Sequence, residues 1–173
     1  ELKDEIFAAR LKDVMDGVAE AVYQEPRTFF DNTYPTSGLK TLLVEALGRL
    51  TGIKPTSSPI IRLETAFAGG KTHSLIALYH VCHSRVEPDW VSRLIGPKTL
   101  VPESIRRIAG VVGSDLDPDN GLAHGDVTTF TPWGEIAYQL GEAEGYRIVE
   151  KSDVQGTAPG ALTLGRLVGK SLQ

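Results

Sequence analysis

An α/β fold with a parallel sheet is what this sequence predicts, and three observations carry the prediction. A short β-rich run, Pro59–Glu64, passes through a glycine pair into a strongly apolar helical stretch, Lys71–Ser84. A second β-rich run lies around Ile108–Val112. Strand, helix, strand, helix is the order that builds parallel sheets. Ahead of these elements, the first 58 residues read as helical. Two strands are fewer than a stable sheet needs, so the chain is expected to hold the N-terminal part of its domain.

The elements follow from the chain in order. Ile6, Leu11, Val14, Val18 and Val22 recur roughly at helical spacing, which predicts a helix over Leu2–Tyr23. Glu25-Pro26 closes it, because the residue before proline is pushed out of the helical region. Arg27–Pro35 reads as a loop anchored by Phe29, Phe30 and Tyr34. Ser37 is suited to cap a helix over Gly38–Leu50, whose Leu39, Leu42, Leu43, Ala46, Leu47 and Leu50 make one apolar stripe. Gly52 is a suitable C-terminal cap, and Lys54–Pro59 a linker. These readings divide the chain into a helical lead-in, residues 1–58, and a core, residues 59–173.

Between the Lys71–Ser84 helix and the second run, a helix is predicted over Asp89–Ile95, with Gly96–Pro102 as a break. Asp115–Asp126 is dense in Asp, Pro, Asn and Gly and reads as a loop. Helices over Pro132–Gly141 and Ala161–Leu172 close the chain.

Composition narrows the function. The chain has 173 residues, 41% hydrophobic and 23% charged, which is ordinary for a folded domain. Its net charge of −4 argues against a dedicated DNA-binding module, which needs a concentrated basic face. Lys98, Arg106 and Arg107 form a small basic group that reads as a solvated helix face. The single cysteine, Cys82, excludes an internal disulfide and suits a reducing cytosol; its apolar helical setting suits a buried thiol. No stretch approaches the length of apolar sequence that spans a bilayer, and Glu1–Glu5 has no signal pattern. A cytoplasmic protein without membrane association is expected.

The chemistry sits at Thr65–Thr72. The Walker A pattern is G-x-x-x-x-G-K-S/T between a strand and a helix. Here the segment runs Thr65-Ala66-Phe67-Ala68-Gly69-Gly70-Lys71-Thr72, and only the first glycine is missing, replaced by Thr65. That glycine eases the turn out of the strand, whereas the later residues touch phosphate. Gly69 and Gly70 allow the torsions that turn successive N–H groups inward, with Ala68 beside them in the loop. Lys71 is expected to bridge the β- and γ-phosphates, and the Thr72 hydroxyl to ligate Mg²⁺. The positive end of the following helix adds to the affinity. The predicted ligand is therefore a nucleoside triphosphate with Mg²⁺, ATP or GTP, and Lys71 and Thr72 are the candidate catalytic residues. His73 follows directly and is expected to face solvent or the nucleotide's base, or to be a structural histidine with its own partners.

Other polar residues carry weaker expectations. His80 and His83, three apart, suggest a metal pair but lack a third ligand nearby. Glu64 sits at a strand end, and Asp115 and Asp117 follow the second run. Gly113-Ser114 interrupts the apolar approach to Asp115, so a Walker B motif is not formed there, and an acidic turn is the better reading.

Two blocks resemble a known family. They are Phe29-Phe30-x-x-Thr33-Tyr34-x-Thr36-x-Gly38-Leu39-Lys40 and Glu64-Thr65-x-Phe67-x-Gly69-Gly70-Lys71-Thr72-His73-Ser74-Leu75. Val112–Pro118 and Thr131-x-Trp133-Gly134-Glu135 extend the likeness. Together they resemble a large group of prokaryotic AAA+-like P-loop ATPases built on a domain of unknown function, found beside DNA methyltransferases and helicases in defence gene clusters. The resemblance implies a P-loop NTPase sheet, ATP and Mg²⁺ as cofactors, and hydrolysis coupled to remodelling in DNA-modification or anti-phage systems. It implies DNA or DNA-modification enzymes as partners, and a homo-oligomer in which sites are shared. It also places Tyr34 and Thr36 near the adenine, by analogy with the N-terminal segments of such ATPases. The family's Walker B strand, sensors and arginine finger are expected beyond Gln173. The alternative is a nucleotide-dependent switch, in which occupancy rather than turnover matters.

Overall fold

The computed structural model describes residues 9–64, 70–84, 86–96, 100–103 and 107–171. They fall into two compact units, Glu1–Arg106 and Arg107–Gln173. The sequence-based boundary between 58 and 59 falls inside the first unit.

The first unit is helical. Its elements are α1 (Leu11–Met15), α2 (Ala21–Gln24), α3 (Pro26–Asp31), α4 (Ser37–Leu50), α5 (Lys71–His83) and α6 (Pro88–Ile95). The long first helix expected over Leu2–Tyr23 is a correction: its described part is broken between α1 and α2. Gly17 takes a left-handed φ of +75° there, which stops a right-handed helix, and Val18 of the apolar stripe is 74% exposed. The loop expected over Arg27–Pro35 also begins as a helix. Pro26 sits at its first turn, where its missing N–H costs nothing, so the proline that ends one segment starts the next. Of the three expected anchors, Phe29 and Phe30 are buried and edge to face at 5.3 Å, whereas Tyr34 is largely exposed and anchors nothing in the core.

α4 buries Leu39, Leu42, Leu43 and Leu47. Its cap is Thr36 rather than Ser37, with the Leu39 N–H donating to the Thr36 hydroxyl oxygen at 3.2 Å. The linker after α4 is tied back to it. Glu45 accepts from Lys54 at 2.8 Å and from Ser57 at 2.6 Å, and Arg49 donates to the carbonyls of Pro55 and Ser57. α5 buries Ile76, Ala77, His80, Val81 and Cys82 and packs against α1, α3 and α4. α6 adds Val91, Leu94 and Ile95 against α3 and α4.

Neither predicted strand pairs. Residues 60–64 carry no ladder, and neither do residues 108–112. Among the described residues the sheet is a two-stranded antiparallel one, and the expected parallel sheet has no counterpart in them.

The second unit holds that sheet: β1 (Leu122–His124) pairs with β2 (Val127–Thr129), with Leu122 opposite Thr129 and His124 opposite Val127. The segment read as a loop from Asp115 to Asp126 thus contains a strand. Gly125, φ +64°, begins the two-residue turn, matching the geometry that joins tight hairpins. α7 (Pro132–Val154) follows, then α8 (Ala161–Ser171). The predicted stop at Gly141 is real but local: α7 kinks at Gly141-Glu142 and resumes as a second arm. The arms meet closely, since a side chain at Gly145 would overlap the Ala137 carbonyl oxygen. Ala137, Tyr146, Val149 and Leu167 form the core of this unit.

Two buried carboxylates lock the hairpin to α7. Glu135 accepts from Thr129 at 2.8 Å, His124 at 2.7 Å and Gln139 at 2.6 Å. Burial pushes its carboxyl up, but the hydrogen bonds from Gln139, Thr129 and His124 outweigh that and hold it below the usual carboxylate range. Asp153, fully buried, accepts from the amides of Phe130 and Thr131, the Thr131 hydroxyl and the Tyr146 hydroxyl. Burial, together with the Asp153 charge, raises the Tyr146 phenol to about 12.

Candidate phosphate-binding site

The site is built where α5 begins. Gly70 is the N-cap of that helix and takes φ +75° and ψ 17°, a left-handed conformation that glycine adopts without penalty. The first intrahelical bond is from the Ser74 N–H to the Gly70 carbonyl at 2.9 Å, and the Ser74 hydroxyl donates to the same oxygen. The amides ahead of Ser74 therefore open toward the N-terminal side of a 13-residue helix, the end that favours anions. Lys71 is half-buried on the first turn and the Thr72 side chain is exposed to solvent. Thr65, Ala66, Phe67, Ala68 and Gly69, the rest of the predicted loop, lie outside the described residues.

His73 is seated against the protein body. Its Nε2 lies 3.0 Å from the Thr33 hydroxyl, which itself donates to the Phe29 carbonyl at 2.7 Å. Its ring stacks on Phe29 with centroids 4.5 Å apart. Burial pushes its pKa down, which keeps the imidazole neutral. Of the two residues placed near the adenine, Tyr34 is 80% exposed and Thr36 uses its hydroxyl to cap α4.

The weaker candidates have structural partners. Nε2 of His80 is 2.7 Å from the Tyr23 carbonyl, whereas His83 stacks on Tyr79 with centroids 4.8 Å apart, so the two rings do not converge. Among the described residues no cluster of three metal-ligating side chains forms. Glu64 pairs with Arg62 at 2.7 Å on the surface. Asp117 accepts from the amides of Asp119 and Asn120, the acidic turn that its sequence suggests, and Asp115 lies on a single 3₁₀ turn, Gly113–Asp115. Arg107 donates to the Leu140 carbonyl. Cys82, the chain's single cysteine, is buried.

Sequence reasoning missed the partners that hold these groups. The Thr33–His73 bond joins residues 40 apart, and nothing in local spacing announces it. The Glu135 and Asp153 locks left one faint signal, a Gly-Glu pair beside a helix start at Gly134-Glu135.

No helix among the described residues is long and apolar enough to cross a membrane. No curated protein and no solved structure matches the chain. The family model for the DUF499 N-terminal domain matches residues 1–171, almost the whole length, and the chain belongs to that family.

Proposed function

We propose that this chain binds ATP with Mg²⁺ through Gly69, Gly70, Lys71 and Thr72, as the nucleotide site of a P-loop ATPase. The observation that carries the reading is the left-handed Gly70 capping α5, directly ahead of Lys71 and Thr72. A left-handed glycine at the start of a helix, followed directly by Lys and Thr, supports that reading, because it is one element from which a phosphate cradle is built. Lys71 supplies a cation to the β- and γ-phosphates, and Thr72 presents an exposed hydroxyl to the metal. With the phosphates neutralised in this way, attack by water on the γ-phosphorus releases phosphate and ADP.

The wider role rests on the resemblance: hydrolysis coupled to remodelling in a DNA-modification or anti-phage system, in the cytoplasm, with DNA or DNA-modifying enzymes as partners and a homo-oligomeric assembly. The local chemistry is tested on the intact protein by calorimetric titration of ATP with and without Mg²⁺. Lys71→Ala is expected to lose nearly all nucleotide affinity or turnover while its circular dichroism matches wild type. Thr72→Ala is expected to weaken Mg²⁺-dependent turnover more than metal-free binding. Equal affinity and turnover in wild type and a folded Lys71→Ala protein would refute the assignment.

A further inference from the structure

His73 and His80 stand seven residues apart, two turns along α5, and so share one face of it. Both face the segment that precedes α4. His80 is buried with its Nε2 on the Tyr23 carbonyl, and His73 has its Nε2 on the Thr33 hydroxyl. The Phe29 ring meets both imidazoles, with centroids 4.5 Å from His73 and 5.2 Å from His80. The partners dictate the tautomers. A carbonyl can only accept, and the single Thr33 hydroxyl proton is committed to the Phe29 carbonyl, so each ring carries its proton on Nε2 and donates it. α5 is thus fastened at two points two turns apart, and the forward one adjoins Thr72.

We propose that His73 is a positioning residue for the nucleotide site: its bond to Thr33, braced by the Phe29 stack, sets the direction in which α5 presents Lys71 and Thr72. This rests on the ATP-binding reading above. Buried apolar packing of α5 begins only at Ile76, so without the His73 bond its first turn can shift. A displacement of about 1 Å there is enough to misplace a metal-ligating hydroxyl and cost up to about a hundredfold in rate. The role assigned to His73 is geometric, exerted through Thr33 and Phe29.

The test uses the intact protein and reads kcat together with the gain in ATP affinity on adding Mg²⁺. His73→Phe keeps an aromatic ring on Phe29 but loses the donor. It is expected to lower kcat about tenfold and shrink the Mg²⁺-dependent gain, with metal-free ATP affinity little changed. His73→Gln, whose amide nitrogen reaches the position of Nε2, is expected to restore most of both. Thr33→Val should reproduce the His73→Phe loss, and the double variant should lose no more than either alone. Should His73→Phe fail to fold, Thr33→Val against Thr33→Ser decides, since serine keeps the hydroxyl. Wild-type kcat and Mg²⁺ gain in folded His73→Phe and Thr33→Val, or additive losses in the double variant, overturn the proposal while the site reading stands. Wild-type protein without Lys71-dependent ATP binding overturns the site reading, and this proposal with it.

Discussion

The two units bury polar groups in opposite ways. In the first, a buried histidine among the described residues, His80, keeps an incomplete set of partners, and burial disfavours its charged form. His80 donates from Nε2, but its Nδ1 and the Gln24 side-chain oxygen are buried and find no hydrogen-bond partner among the described residues. In the second, the buried groups are carboxylates saturated with donors: three to Glu135 and four to Asp153. A saturated carboxylate ties its neighbours into one geometry, whereas an orphan acceptor holds its surroundings at a cost. The second unit is therefore locked locally. The first, which carries the candidate site, is held mostly by apolar packing and by two histidines.

Removing a buried polar group from each unit should break the comparison open. Asp153→Ala strips the acceptor from two amides and two hydroxyls, and is expected to cost about 3 kcal/mol, read from urea unfolding. Gln24→Met loses one bond, from its side-chain nitrogen to the Val14 carbonyl at 3.2 Å, but also removes a buried orphan oxygen. It is expected to cost about 1 kcal/mol or less. Similar losses from both changes would show that partner saturation does not distinguish the units.

Acid gives a milder version of the same contrast. Burial pushes the pKa of both His73 and His80 below the ordinary 6.5. The unfolded chain therefore takes up these protons first, and the stability of the first unit falls as pH drops from about 6.5 toward the folded values. Glu135 is also depressed, but from an ordinary 4.5, so its contribution is lost only as pH falls below that. Each unit holds one of the two tryptophans, Trp90 and Trp133, so single-tryptophan variants report them separately. The first unit is expected to soften at higher pH than the second; coincident acid transitions would contradict the assignment.

Legibility followed the range of the interactions. α4, α5, α6 and the first arm of α7 follow from apolar spacing and caps, all set within a few residues. Gly70, Lys71 and Thr72 are contiguous, so their chemistry could be read directly. What escaped depends on distant partners or on one residue's torsion. Gly17 breaks a run whose apolar spacing continues through it, and the β1–β2 hairpin hides in a stretch of turn-forming residues. The second arm of α7 begins after a glycine that ordinarily ends a helix and carries another, Gly145, which packing against Ala137 explains. For His73 the sequence leaves several surroundings open, and the Thr33 and Phe29 contacts that it makes come from residues about 40 positions away.

The kink in α7 also has a bearing on engineering. Glu142 sits there at φ 52° and ψ −147°, and it is the one non-glycine residue with positive φ among those described. A side-chain-bearing residue in that region costs about 1–3 kcal/mol, while glycine occupies it nearly freely. Its side chain is exposed, so little contact is lost on removal. Position 142 is thus a place where the protein gains robustness by subtraction: Glu142→Gly should raise Tm, although glycine inside a helix ordinarily lowers it.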